Sequence, residues 1–272
     1  NRFVFKRKQT SSIISLYIIL TRRIRQMIAK LELELSCKEE LAYQMSSLLH
    51  GALMELLPEE YAYELHASKL HPYTQHLECR ENTWYWIITA LNRRAVETIL
   101  KKALWDLEQL ELKKKQIVVR IVGKNYREMQ YSQLIEHFYH EEHGNYLSIH
   151  FVSPTAFKQR GKYIFYPDIR CLFQSLMNKY DAAAGENVMF DNDVLDQICE
   201  NAEIVRYDLK SVKFSLEGIR IPAFIGKVTI KITGTKTMAD FANMLVEFGT
   251  YSGVGIKTAL GMGSIRKMEE RR

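Results

Sequence analysis

From Met27, apolar Ala29, Leu31, Leu33 and Leu35 alternate with Lys30, Glu32 and Glu34, and this period of two commits the chain to opening on a half-buried β-strand. The segments that follow constrain it further. Ser36 and Glu39 have capping-box spacing, after which Leu41, Met45, Leu48, Leu49, Ala52, Leu53 and Leu56 recur at helical intervals up to Pro58. Residues 73–79 and 83–90 read as extended. A second helix opens at Asn92 and buries Val96, Ile99, Leu100, Ala103 and Leu107, and residues 117–122 supply a last strand. Strand, helix, strand, strand, helix, strand is the order of the split βαβ, or ferredoxin-like, arrangement.

The second half repeats that order. Residues 146–152 read as a strand and a helix begins at 167. Residues 203–216 and 224–233 form a hairpin in which Val228, Ile230 and Ile232 alternate with Lys227, Thr229 and Lys231. Thr237 and Asp240 suggest a capping box before Met238, Phe241, Leu245 and Phe248. Gly249 is placed as a left-handed helix terminus, and residues 260–267 are extended again. The expected fold class is α+β, with two tandem ferredoxin-like (βαββαβ) domains and a C-terminal glycine-rich loop. The expected domains are 27–123 and 146–272, joined by an inter-domain segment at 124–145. This fold serves many functions, so function must be read from the sites.

The net charge of +6 points toward nucleic acid only until its distribution is considered. Seven basic residues and no acidic ones lie in 1–26, leaving 31 basic against 32 acidic in 27–272. Residues 1–26 are read as a non-native or disordered basic extension. Their apolar run at 13–20 is too short to cross a bilayer and is followed by no small-residue cleavage site. Cys37, Cys79, Cys171 and Cys199 are widely spaced, which excludes a zinc ribbon and fits a reducing cytoplasm.

The stretch Gly253-Val254-Gly255-Ile256-Lys257-Thr258-Ala259-Leu260-Gly261-Met262-Gly263 is the most informative in the chain. Glycines let a backbone approach a ligand closely and aim consecutive amides at phosphate, where Lys257 would add charge. The spacing fits neither a Walker A loop nor a dinucleotide-binding fingerprint. Tight packing alone would account for one pair of glycines, but two pairs argue for a phosphate-contacting loop at Gly253, Gly255, Lys257, Gly261 and Gly263.

This segment is similar to the C-terminal glycine-rich motif of the CRISPR repeat-processing endoribonucleases, the sixth Cas family within the RAMP superfamily, a resemblance that implies an RNA-contacting loop. Leu65-His66, with Lys69 and Pro72-Tyr73-Thr74, resembles the family's N-terminal histidine region. Phe151-Val152-Ser153-Pro154-Thr155-Ala156-Phe157 resembles its central segment, and the likeness covers 27–268. The resemblance implies an endoribonuclease that cuts CRISPR repeat RNA in precursor transcripts. By 2′-hydroxyl attack it would leave a 2′,3′-cyclic phosphate and a 5′-hydroxyl, with no metal and no cofactor. Repeat RNA is the implied partner, the membrane is not, and other CRISPR effector subunits or a homodimer are left open. A non-catalytic RNA-binding RAMP subunit would share the fold and the loop but need no histidines.

Metal-free cleavage of RNA requires a base, an acid and a positive charge at the phosphorane, roles suited to histidine and lysine. His50, His66, His71 and His76 fall in one window. Matching the family's motif assigns His66 and Lys69 first, with His50 as the partner on the first helix. The two histidines would share the acid and base roles, and Lys69 would stabilise the transition state. His76 is read as a solvated or hydrogen-bonded strand residue without a catalytic role, and His71 is left open.

Other features weigh less. His137, His140 and His143 with Glu141 and Glu142 have a spacing that could hold a metal, but a polar helix surface explains them better. Lys158, Arg160 and Lys162 around Gly161 read as a flexible basic loop, equally suited to gripping RNA backbone or to solvent, and the family resemblance favours RNA. Lys210, Lys213, Arg220, Lys227 and Lys231 line the predicted hairpin. Among Trp84, Tyr85 and Trp86, at least one should be core.

Overall fold

The structure, a computed structural model, describes residues 27–140, 144–184, 190–216 and 218–269, with the side chains of 137–140 excepted. The basic extension 1–26 and the His137, His140 and His143 side chains lie outside the described residues.

β1 (Met27–Ser36) is the middle strand of an antiparallel sheet ordered β2-β3-β1-β5-β4. Its neighbours are β2 (Tyr73–Arg80), β3 (Thr83–Ala90), β4 (Gln109–Leu112) and β5 (Ile117–Gln130). Leu31 and Leu33 are fully buried, as the alternation requires. They share a core with Leu49 and Leu53 of α1 (Ser46–Leu56), Tyr61 and Leu65 of α2 (Glu59–Ala67), and Val96 and Ile99 of α3 (Arg93–Ala95 continuing as Val96–Leu104). Trp86 is the core member of the aromatic triplet, at 0% exposure.

After α4 (Tyr131–His140), the second half builds a sheet ordered β11-β6-β10-β9. It comprises β6 (Tyr146–Thr155), β9 (Ala202–Leu216), β10 (Ile219–Ile232) and β11 (Ile265–Met268), with β7 (Phe157–Gln159) and β8 (Lys162–Ile164) set apart as a small hairpin. α5 (Ile169–Ala184), α6 (Asn192–Asn201) and α7 (Lys236–Ser252) contribute Phe173, Leu195 and Leu245 to its core. Leaving out the edge strand β4, both sheets place the fourth strand of the motif beside the first, then the third, then the second. Both are ferredoxin-like.

Several local expectations are corrected. Ser36 and Glu39 cap no helix; the first helical turn starts at Tyr43, and Glu39 instead accepts from Cys37 Sγ. Pro58 ends one helix and caps the start of the next, so 59–67 is helical too. The N-cap of α7 is Thr235, whose side chain accepts from the Met238 amide, rather than Thr237. β5 runs past residue 123 and stays paired with β1 as far as Gln130, opposite Met27, so part of the expected inter-domain segment belongs to the first sheet.

β2 faces both halves of the molecule. Tyr73, Gln75 and Leu77 are buried on the helix side. On the other side Thr74 Oγ1 donates to the Tyr251 carbonyl (3.0 Å), His76 Nε2 pairs with Ser264 Oγ (3.1 Å), and Glu78 pairs with Arg266. Lys30 of β1 donates to the Thr250 carbonyl (3.1 Å), so the end of α7 rests on the first sheet.

Candidate active site

The glycine-rich segment leaves α7 at Ser252, three residues beyond the expected stop, where Gly253 turns at φ +60°. Gly249 is a packing position instead, since a Cβ there would meet Leu176 and Ile265. Two glycines are demanded by contact as well as by backbone angle. At Gly255 (φ +72°) a Cβ would lie 2.3 Å from the Ala156 carbonyl, and at Gly261 (φ +108°) it would lie 2.2 Å from the Ser46 Cβ. The loop is thereby seated on the end of β6 and on the first turn of α1.

Its amides are largely engaged within the protein. Gly253 donates to the Gly249 carbonyl (2.8 Å), Gly255 to Ser175 Oγ (2.8 Å), Ile256 to the Ala156 carbonyl (3.0 Å) and Gly263 to the Pro154 carbonyl (3.0 Å). The expected row of amides aimed at phosphate is therefore not formed at these positions. The glycines shape the loop, and Gly253, Gly261 and Gly263 are buried. What the loop offers to solvent is Lys257, held at φ +56°.

His50 sits one turn along α1 from Ser46 and is only partly exposed. Its Nδ1 lies 2.9 Å from the hydroxyl of fully buried Tyr73, and the Ala259 carbonyl stands against the ring. Burial drives its pKa down to about 4, helped by the charges of His71 and His66 and opposed by that carbonyl. At neutral pH His50 is an uncharged imidazole. His66, at the end of α2, and Lys69, in the turn beyond it, are both exposed.

Two residues complete the group. His71, left open by the sequence, packs against Tyr73 with ring centroids 5.8 Å apart. Burial, then His66, lowers its pKa, and its Nδ1 has no hydrogen-bond partner among the described residues. Gln75 was missed. Its Nε2 donates to the carbonyls of Ser46 (2.8 Å) and Ala259 (2.9 Å), while its Oε1 accepts from Trp86 Nε1 (2.9 Å). A polar residue on the inward face of an otherwise apolar strand was the available signal.

His76 is a hydrogen-bonded residue of β2 that faces the second domain, where its Nε2 meets Ser264 Oγ. Burial alone would raise the neighbouring Glu78 carboxyl, but the His76 ring beside it, the hydrogen bond from Arg80 and the charge of Arg266 hold its pKa down to about 2. Lys158, Arg160 and Lys162 occupy the β7–β8 hairpin, whose tip Arg160-Gly161 has positive φ at both residues, so the expected loop is an ordered turn. All three are exposed, and Lys158 Nζ lies 5.7 Å from the Tyr163 ring centroid. Among the described residues no helix is long and apolar enough to cross a membrane.

Comparison with known proteins bears on this site. The profile of the family CRISPR-associated endoribonuclease Cas6 matches residues 149–265. A CRISPR-associated endoribonuclease Cas6 of Streptococcus thermophilus is 38% identical over 239 residues, spanning 85% of this chain and 94% of the relative. One of Mycobacterium tuberculosis is 30% identical over 252 residues, spanning 91% and 79%. Among solved structures, a Cas6 product complex matches with a TM-score of 0.76 at 24% identity, covering 89% of this chain and all of the other. Thermus thermophilus Cas6 matches with a TM-score of 0.68 at 19% identity, covering 89% and 99%; both likenesses are of fold. With both halves of the fold shared and identity sustained along nearly the whole chain, this protein belongs to the CRISPR-associated endoribonuclease Cas6 family.

Proposed function

We propose that this endoribonuclease cleaves CRISPR repeat RNA in precursor transcripts, without a metal, by attack of the 2′-hydroxyl on the adjacent phosphate. The observation that carries the reading is the meeting of His50 and His71 on Tyr73, with ring centroids 6.3 and 5.8 Å from it, between the helix whose last turn holds His66 and the loop that carries Lys257 and Ala259. His50 and His66 share the roles, one taking the 2′-hydroxyl proton as base and the other protonating the departing 5′-oxygen as acid, and Lys69 stabilises the phosphorane. The P–O5′ bond breaks as the P–O2′ bond forms, giving a 2′,3′-cyclic phosphate and a 5′-hydroxyl.

The first domain, 27–123 extended by β5 to residue 130, carries these groups. The second grips RNA through Lys158, Arg160 and Lys162 on the hairpin and Lys257 on the loop, with Gly253, Gly255, Gly261 and Gly263 giving that loop its shape. The product and substrate-mimic complexes of Cas6 proteins fit a cleaved RNA as the partner, and a transcript as substrate puts the reaction in the cytoplasm.

Incubation with repeat RNA in a chelating buffer, followed by end-group analysis, tests the proposal. Cleavage should persist, leave a cyclic phosphate, and vanish when the scissile nucleotide is 2′-deoxy. Cutting that a chelator abolishes, or that tolerates the deoxy substitution, would overturn the mechanism. Binding without cleavage would identify a non-catalytic RNA-binding subunit.

A further inference from the structure

Lys179, on α5, is buried at 7% exposure, far from where a lysine is ordinarily found. Its Nζ donates to the carbonyls of Ser252 (3.0 Å) and Gly253 (3.2 Å) and to Thr258 Oγ1 (3.1 Å). The carbonyls close α7, where the helix dipole favours a cation; the hydroxyl opens the turn Thr258–Leu260. One ammonium thus fastens both ends of the excursion that presents Lys257.

The next residue after Thr258 is Ala259, whose carbonyl accepts from Gln75 and stands against His50. Lys179 also borders the first domain directly. It lines a small cavity with Leu70, His71 and Pro72, while Lys158 and Asp181 line the cleft on its other side. Burial lowers its pKa to about 7. A buried ammonium costs desolvation, which its three acceptors offset, and an apolar side chain here would leave those acceptors without it, so the lysine holds the three groups together.

We propose that Lys179 is a positioning residue for RNA cleavage: by tying the end of α7 to Thr258 it sets the Ala259 carbonyl, and through it the His50 ring, in place. The inference rests on the proposed role of His50.

Lys179→Met preserves length and apolar bulk while removing the charge. The expected result is a protein that melts below the parental temperature, because the Ser252 and Gly253 carbonyls and the Thr258 hydroxyl lose the ammonium, yet stays folded and still binds a 2′-deoxy repeat RNA. Its single-turnover cleavage should be slower by about tenfold to 100-fold. The His50 ring resonances, measured without RNA, should move. A parental rate, or a reduced rate with His50 resonances unmoved, overturns the proposal. If Lys179→Met fails to fold, Thr258→Val removes one acceptor and is read against the same outcomes. His50→Ala, assayed alongside, separates the two ideas: parental cleavage there sinks the active-site reading, whereas loss there with a parental rate in Lys179→Met sinks only the positioning role.

Discussion

Gly261 lies directly against Ser46, so that a methyl group at position 261 would fall 2.2 Å from the Ser46 Cβ. The contact locks the last loop of the chain onto the helix that carries His50. Gly261→Ala must both strain a backbone at φ +108° and push α1 away, at a cost on the order of 3 kcal/mol. Cleavage should fall along with the melting temperature. Gly51, in the same helix, has nothing within 4 Å of an added Cβ, and Gly51→Ala should stabilise by about 0.5–1 kcal/mol. Thermal melts of the two variants check the pair.

His50 should make stability depend on acidity in a defined window. Its pKa is 6.5 in the unfolded chain and about 4 in the fold, so between these values the unfolded state binds the extra proton. Stability from the neutral ring is complete above pH 6.5 and is lost as pH falls toward 4, by about 3 kcal/mol. His71 and His76, also lowered by burial, act in the same direction. Urea denaturation across this range should show a shallower pH dependence for His50→Gln than for the parent; equal slopes would refute the assignment.

Glu78 and Arg266 join β2 to β11 across the two domains, with Arg80 on the same carboxylate. Because the Glu78 carboxyl is held down to about 2, its contribution is present above pH 4.5 and lost as pH falls from there. The arginine is 43% exposed, which limits the pair to a coupling of about 1 kcal/mol. A double-mutant cycle on Glu78→Gln and Arg266→Ala measures it at neutral pH, and the coupling should be smaller at pH 3.

His66 and Lys69 are exposed, so removing them should leave the fold intact. His66→Ala and Lys69→Ala are expected to unfold within about 0.5 kcal/mol of the parent while cleaving about 100-fold or more slowly. Single-turnover assays with denaturation curves on the same samples decide this. Parental rates would move the chemistry to other residues.

Alternation and helical spacing made β1, α1 and α3 legible, because one buried face leaves a periodic trace in the chain. α2 was not legible: Pro58 ends a helix on the usual reading, yet proline is also at home in a helix's first turn. Gly249 was misread because close packing and a left-handed turn ask for the same residue. The histidines stood out by type, but the neighbours that set their chemistry did not. Tyr73 is 23 residues from His50, and Ala259 arrives from the far end of the chain as a bare carbonyl with no residue signature.

That remote arrival has a consequence for biosynthesis. A nascent chain that has emerged only as far as Gly144 already holds His50, His66 and Lys69, but not the loop whose Ala259 carbonyl stands against His50, nor the surface that covers Thr74, His76 and Glu78. The candidate site is therefore completed at the end of translation rather than midway, and a prematurely terminated product would carry these side chains without the loop that meets His50.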